Sequence, residues 1–233
     1  MSYFVFIGLL YSFLFGAVFY RASVQQKEIK TALDIGFIVM IAGFFGARLT
    51  HVIFESPEIY QEDWIRVFQF WYGGFVFYGG AIAAFFAALI YLRLQKESLA
   101  EWTDFYAPIC ALGYGLGRIS CFIAGCCFGG SCALPWAIDG KHPAQLYAVA
   151  WELSVFVILI AVEKLKKLRT GSLFLLWVIF HSIGRMIMEY FRDDFRGPQV
   201  LGLTISSLIS YLLFTGAVFV FVQRQSFAKI SKN

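Results

Sequence analysis

The sequence predicts an all-α integral membrane protein with seven transmembrane helices, its N-terminus outside and its C-terminus cytoplasmic. Three observations predict this. Of the 233 residues, 60% are hydrophobic and only 15% charged, against about 25% charged in soluble domains. Apolar runs recur at the roughly 20-residue length that a hydrocarbon core demands. The 19 Lys and Arg are concentrated in alternate loops, as the positive-inside rule requires.

The runs cover about 2–21, 32–54, 75–93, 102–124, 146–162, 172–190 and 203–223. They use nearly the whole chain, so residues 1–233 read as a single polytopic membrane domain. The first run begins at Ser2 without a basic stretch before it, and no small-residue cleavage site follows Arg21. It therefore reads as a retained helix and not as a signal peptide. The second and third runs are joined by a loop holding Glu55, Glu58, Glu62 and Asp63, the third and fourth by a basic link with Arg93 and Lys96. The fourth run ends in the glycine- and cysteine-rich stretch GLGRISCFIAGCCFGG, residues 115–130. Between the fifth and sixth lie Lys164, Lys166, Lys167 and Arg169, and the seventh runs into a basic tail. Segments 21–31, 93–101, 163–170 and 224–233 hold twelve of the basic residues, and the opposite loops hold four, Arg66, Lys141, Arg192 and Arg196. The net charge of +4 thus reports topology and gives no reason to expect a nucleic-acid partner.

Three arginines fall inside the spans: Arg48, Arg118 and Arg185. By this topology all lie in the outer third of outward-running helices, with Glu152 and Glu189 at the same depth. Each follows a glycine: Gly46 two residues before Arg48, Gly117 and Gly184 immediately before the others. A single such arginine can be a structural cation near a helix C-terminus that snorkels to the headgroups. Three at one depth form a planar-fork donor set suited to phosphate oxygens, with glycines that let backbone or ligand come close. On the sixth run His181, Arg185, Glu189 and Arg192 are spaced i, i+4, i+8, i+11 along one stripe. That stripe is either a salt-bridge ladder facing a neighbouring helix or the polar wall of a site. A transporter would leave polar residues or broken helices near the midplane; here the middle of the spans is almost purely apolar. Asp34 and Asp104 fall at inner helix ends, where negative charge suits an N-terminus.

With these residues placed, the chain resembles the prolipoprotein diacylglyceryl transferases of bacteria. The resemblance is carried by GARLTHVIF (46–54), WYGGFVFYGG (71–80), TDFYAPICALGYGLGRISCFIAGCCFGG (103–130), KHPAQLY (141–147) and IGRMIMEYFR (183–192). It implies an inner-membrane, multi-pass enzyme without a cofactor or metal. Its partners would be phosphatidylglycerol, the lipobox peptide of a prolipoprotein and the membrane itself. The implied reaction moves diacylglyceryl from phosphatidylglycerol to the lipobox cysteine thiol, forming a thioether and releasing glycerol phosphate. Arg118 matches the arginine of the family's glycine–arginine signature and Gly129 its closing glycine. Arg185 matches the second essential arginine, with Glu189 and Arg192 in register; Arg48 matches the second-helix arginine. His142, Gln145 and Tyr147 match the HPSQLYE-like segment. Tyr78 stands where the family carries a histidine, and His181 where it carries a tyrosine, an exchange that keeps one imidazole and one phenol available. The resemblance therefore implies Arg118, Arg185, His181 and Tyr78 as the catalytic group. Arg48, Gly129, His142, Gln145, Tyr147, Glu189 and Arg192 are implied as substrate-binding residues.

Where the family signature has asparagine, asparagine and glutamate, this chain has Cys121, Ala124 and Cys126. These replacements keep two further readings in play: a non-catalytic lipid- or lipoprotein-binding paralogue, and a thiol-redox membrane protein. Cys110 reads as a small mid-helix hydrophobe. Cys121, Cys126, Cys127 and Cys132 lie at or beyond the outer helix end. A disulfide or tight packing, redox or metal chemistry, and participation in the lipid chemistry all remain open there, although the spacing lacks the usual zinc pairs.

Overall fold

The structure, a computed structural model, describes residues 3–165, 167–193, 199–200 and 202–230; Arg196 lies outside them. Among the described residues, seven helices are long and apolar enough to cross a membrane. They are α1 (Tyr3–Val24), α2 (Ile29–Thr50), α4 (Phe77–Leu94), α5 (Leu99–Ile123), α6 (Ala144–Lys164), α7 (Ser172–Phe191) and α8 (Ile205–Ile230). A short helix α3 (Pro57–Glu62) lies in the loop after α2, and strands β1 (Gln199–Val200) and β2 (Leu203–Thr204) pair just before α8. The spans match the expected runs to within a few residues. Helices extend past the apolar runs because their charged ends still pair: Lys30 reaches Asp34 at 2.9 Å within the first turns of α2. Phe13, Phe45, Phe86 and Leu212 are exposed, as lipid-facing side chains are.

The helices form two compact units, Phe15–Leu99 and Met1–Leu14 with Ala100–Asn233. In the first, α2 and α4 touch through small residues. A Cβ on Gly46 would lie 2.9 Å from the Gly79 carbonyl oxygen, and one on Gly80 would lie 2.7 Å from that of Gly43. Such backbone approach is what small residues contribute to helix pairs in lipid, where burial from water no longer drives association. At the other end of this pair Asp34 accepts from the Tyr91 hydroxyl at 2.8 Å. The α2 ladder then widens into a π-helical turn, His51–Glu55.

In the second unit α5, α6 and α7 share a core of Ala107, Ala111, Val155, Leu159 and Leu173. Gly115 lets α5 approach α6, since a Cβ there would lie 3.2 Å from that of Glu152. Asp104 does not cap its own helix. Its carboxylate accepts from the backbone N–H groups of Gly171 and Phe174, the latter at 2.9 Å, and so caps α7. At this end of the unit α8 is tied in by Arg224, which donates to the Thr170 carbonyl, and by Gln225, which donates to Ser172 Oγ at 3.0 Å. The opposite end, formed by the C-termini of α5 and α7 and the N-termini of α6 and α8, carries the polar residues.

Candidate active site

Tyr114 and Arg118 stand one turn apart on α5, so their side chains share a face. Arg118 donates to the Tyr114 hydroxyl, and its guanidinium carbon lies 4.8 Å from the ring centroid. The Tyr114 ring meets His181 of α7 edge to face at 4.5 Å. His181 Nδ1 and Glu152 Oε1 of α6 are 2.6 Å apart, and Trp177 covers the imidazole with centroids 5.3 Å apart. The Glu152 side chain is 2% exposed, and its second oxygen has no hydrogen-bond partner. A carboxylate so placed holds the imidazole in one orientation and, as an acceptor, selects the tautomer with hydrogen on Nδ1. That leaves Nε2 with a lone pair.

One turn along α7 from His181, Arg185 donates to Ser206 Oγ of α8 and lies 3.8 Å from Glu189 Oε2. Glu189 is fixed in turn, its Oε1 accepting from Thr204 Oγ1 at 2.6 Å. Tyr114, Glu152 and Arg185 line a cleft of about 10 Å³ together with Trp151 and Gly184, room for about one water molecule. Trp151 is held there by donating from Nε1 to the Phe180 carbonyl at 3.0 Å. Arg185 therefore borders this cleft directly, and Arg118 connects to it through Tyr114. The glycines before the two arginines differ in role. A side chain at Gly184 would run into the Trp151 indole, whereas a Cβ at Gly117 would meet nothing within 4 Å.

The segment after α5 frames this end of the unit. Gly129 N–H donates to the His142 carbonyl at 2.8 Å and Gly130 N–H to that of Phe191 at 2.9 Å, and Gly129 pairs with Arg192 in an isolated bridge. A Cβ on Gly129 would fall 2.6 Å from that of His142, so only glycine passes between these strands of chain. His142 Nδ1 lies 3.2 Å from the Tyr147 hydroxyl, which also accepts from Trp136 Nε1 at 2.8 Å. Phe191 packs on both rings. Buried Gln145 donates to the Cys126 carbonyl. Gly129, His142, Gln145 and Tyr147 thus make contacts that shape the loop.

The cysteines are free thiols. Those of Cys121, Cys126 and Cys127 lie within 4.8 Å of one another. Hydrogen bonding from Cys121 is the largest influence on Cys127 and, helped by Cys126 and the charges of Arg192 and Arg118, pulls its thiol down to about 5 against the effect of burial. Burial, followed by the neighbouring Cys127, pushes Cys126 up.

Arg48 and Tyr78 belong to the other unit. Arg48 is 5% exposed and spends its donors on carbonyls: Val67 at 3.1 Å, Gly74 at 3.1 Å, Gln69 at 3.5 Å, and those of Arg66 and Gly73. Its guanidinium is the hub around which residues 63–74 wrap. Beside it lies a cleft of about 540 Å³ lined by His51, Tyr60, Asp63 and Arg66, where the Tyr60 hydroxyl meets His51 Nδ1 at 2.8 Å. Tyr78 stands half-buried in the first turn of α4.

Tyr114 and Trp151 are the site residues that sequence reasoning missed, and Glu152 entered it only as a nearby acid. The spacing of Tyr114 to Arg118 and of Gln145 to Glu152, one and two helical turns, was the available signal. An aromatic in an aromatic-rich membrane helix does not stand out by composition.

Fold and site define a polytopic α-helical membrane enzyme whose arginines, carboxylate and imidazole gather at one end of a helix bundle. The sequence profile of the prolipoprotein diacylglyceryl transferases matches residues 2–223, and the chain belongs to that family. Among its relatives are proteins named phosphatidylglycerol–prolipoprotein diacylglyceryl transferase. That of Nitrosomonas europaea is 31% identical over 212 residues, covering 85% of this chain and 76% of the relative. That of Geobacter sulfurreducens is 30% identical over 233 residues, covering 91% and 89%. That of Corynebacterium glutamicum is 27% identical over 227 residues, covering 86% and 72%.

Proposed function

We propose that the chain transfers diacylglyceryl from phosphatidylglycerol to the cysteine thiol of a lipobox peptide at the outer face of a bacterial inner membrane. The N-terminus is then outside and the C-terminus cytoplasmic, which the distribution of Lys and Arg supports. In the reaction the thiol sulfur attacks the glyceryl carbon that bears the phosphate. The C–O bond breaks, its electron pair leaves with glycerol phosphate, and the thiol proton passes to a base.

The observation that carries this reading is the run of contacts from Arg118 through Tyr114 to His181 and Glu152, beside a cleft that Arg185 lines. Arg185 and Arg118 balance the charge growing on the phosphate oxygens; losing one preorganised donor of this kind costs about 3–4 kcal/mol of barrier. His181 Nε2 takes the thiol proton, because the nucleophile is the thiolate, and Glu152 steadies the imidazolium that results. Glu189 positions Arg185. Trp151 is the largest side chain in the wall of that cleft.

The test is a mobility-shift assay with purified protein, phosphatidylglycerol and a lipobox peptide. Appearance of a thioether-linked diacylglyceryl peptide is expected. Tight binding of phosphatidylglycerol without transfer would instead fit the non-catalytic paralogue, the reading that the replacements at Cys121, Ala124 and Cys126 favour.

A further inference from the structure

The transfer reaction leaves three sulfurs unexplained, since the acceptor brings its own thiol. Their proximity begins with how α5 ends. Gly125 N–H donates to the Phe122 carbonyl at 3.1 Å and Cys126 N–H to the Cys121 carbonyl at 3.1 Å, with Gly125 at a φ of 68°. These are the two bonds of a Schellman motif, with glycine in the left-handed position. The motif brings together the side chains at its first and last positions, ordinarily two apolar groups. Here they are Cys121 and Cys126. Cys127 is itself left-handed, with a φ of 66°, and its sulfur lies 3.1 Å from that of Cys126. The turn is anchored from outside, because Gln145, 2% exposed on α6, holds the Cys126 carbonyl.

The resulting donor set is all sulfur, with the three atoms within 4.8 Å of one another. Three sulfurs bound to one ion at about 2.3 Å lie roughly 4 Å apart, so shifts of about an ångström close the site. Thiolates without imidazole or carboxylate select soft ions, Cu(I) foremost; Zn(II) asks for a fourth ligand, and the group offers three. We propose that Cys121, Cys126 and Cys127 form a trigonal Cu(I) site at the C-terminal end of α5. Binding displaces the thiol protons, and the cations Arg118 and Arg192, which both act on the Cys127 sulfur, offset the negative charge of the trithiolate. The site shares Arg118 with the transfer reading, but its test reads copper binding and not transfer.

The experiment titrates reduced full-length protein in detergent with Cu(I) under anaerobic conditions, against a chromophoric Cu(I) chelator. The expected result is a single ion per chain, lost in the C121S/C126S/C127S protein and kept in C110S/C132S. A second measurement needs no variant of the site: alkylation of wild-type protein with and without Cu(I), mapped by mass spectrometry. Cu(I) should protect Cys121, Cys126 and Cys127 and leave Cys132 reactive. The proposal is overturned if the chelator keeps all the copper, if the triple variant binds like wild type, or if protection falls on other cysteines.

Discussion

His181 Nδ1 and Glu152 Oε1 meet at 2.6 Å across the contact between α7 and α6, with the carboxylate 2% exposed. Burying one ionised partner alone costs several kcal/mol even after relaxation, so the two side chains constrain each other's proton. This makes Glu152 a positioning residue for the imidazole and gives the pair a testable asymmetry.

Glu152→Gln keeps shape and a hydrogen-bonding oxygen but removes the charge that steadies a protonated imidazole. The turnover number should fall by on the order of 10²-fold, within the range of acid–base contributions, while KM for phosphatidylglycerol stays near wild type. Steady-state kinetics in mixed micelles separates the two. A rise in KM alone would assign Glu152 to lipid binding.

Arg185→Lys and Arg118→Lys each keep a positive charge and lose the planar fork. Transfer should fall by on the order of 10²–10³-fold for each, from about 3–4 kcal/mol of lost stabilisation. Tyr114→Phe, which takes from Arg118 its hydroxyl partner, should cost less, about tenfold. Initial rates at saturating lipid rank the three, and Tyr114→Phe as severe as the arginine variants would move the phenol into the chemistry.

Gly117 and Gly184 each precede an arginine, yet alanine should affect them oppositely. At Gly184 the new methyl enters the Trp151 indole, and overpacking of this kind costs about 1–3 kcal/mol. At Gly117 nothing lies within 4 Å, so the change should stay within about 0.5 kcal/mol. Thermal unfolding in detergent should show a clear drop in Tm for G184A and little change for G117A.

Arg48→Lys should loosen the loop that the guanidinium gathers, because a single ammonium offers three donors where five carbonyls are now reached. Hydrogen exchange across residues 63–74 should speed up, with the α2–α4 contact unaffected. Unchanged exchange in that segment would remove Arg48 as its organiser.

These contrasts show what could be read in advance. The seven spans were legible because a hydrocarbon core imposes length and apolarity on each segment separately, and Arg118 and Arg185 stood out because cations inside apolar runs are costly. Partners were not legible. Arg48 looks like Arg118 in sequence, yet its donors are satisfied by a loop about 20 residues downstream, a tertiary outcome that no local pattern encodes. Likewise the glycines before the arginines read as room for backbone or ligand; Gly46 takes the backbone of α4 and Gly184 the Trp151 indole, while a Cβ at Gly117 would meet nothing within 4 Å. The closeness of the cysteines was not legible for a different reason. Spacings of five and one do not match familiar metal pairs, but a Schellman turn folds the first position of the motif onto the last. Sequence separation therefore misjudges how close the sulfurs come.

The role proposed for His181 as the base in thiol transfer is tested by His181→Ala. Purified H181A protein, with wild-type elution and thermal stability, would be assayed with labelled phosphatidylglycerol and a lipobox peptide beside wild type. Transfer should fall by on the order of 10²–10⁴-fold, with phosphatidylglycerol binding retained. Transfer by H181A at the wild-type rate would rule out His181 as the base and turn the search to His142.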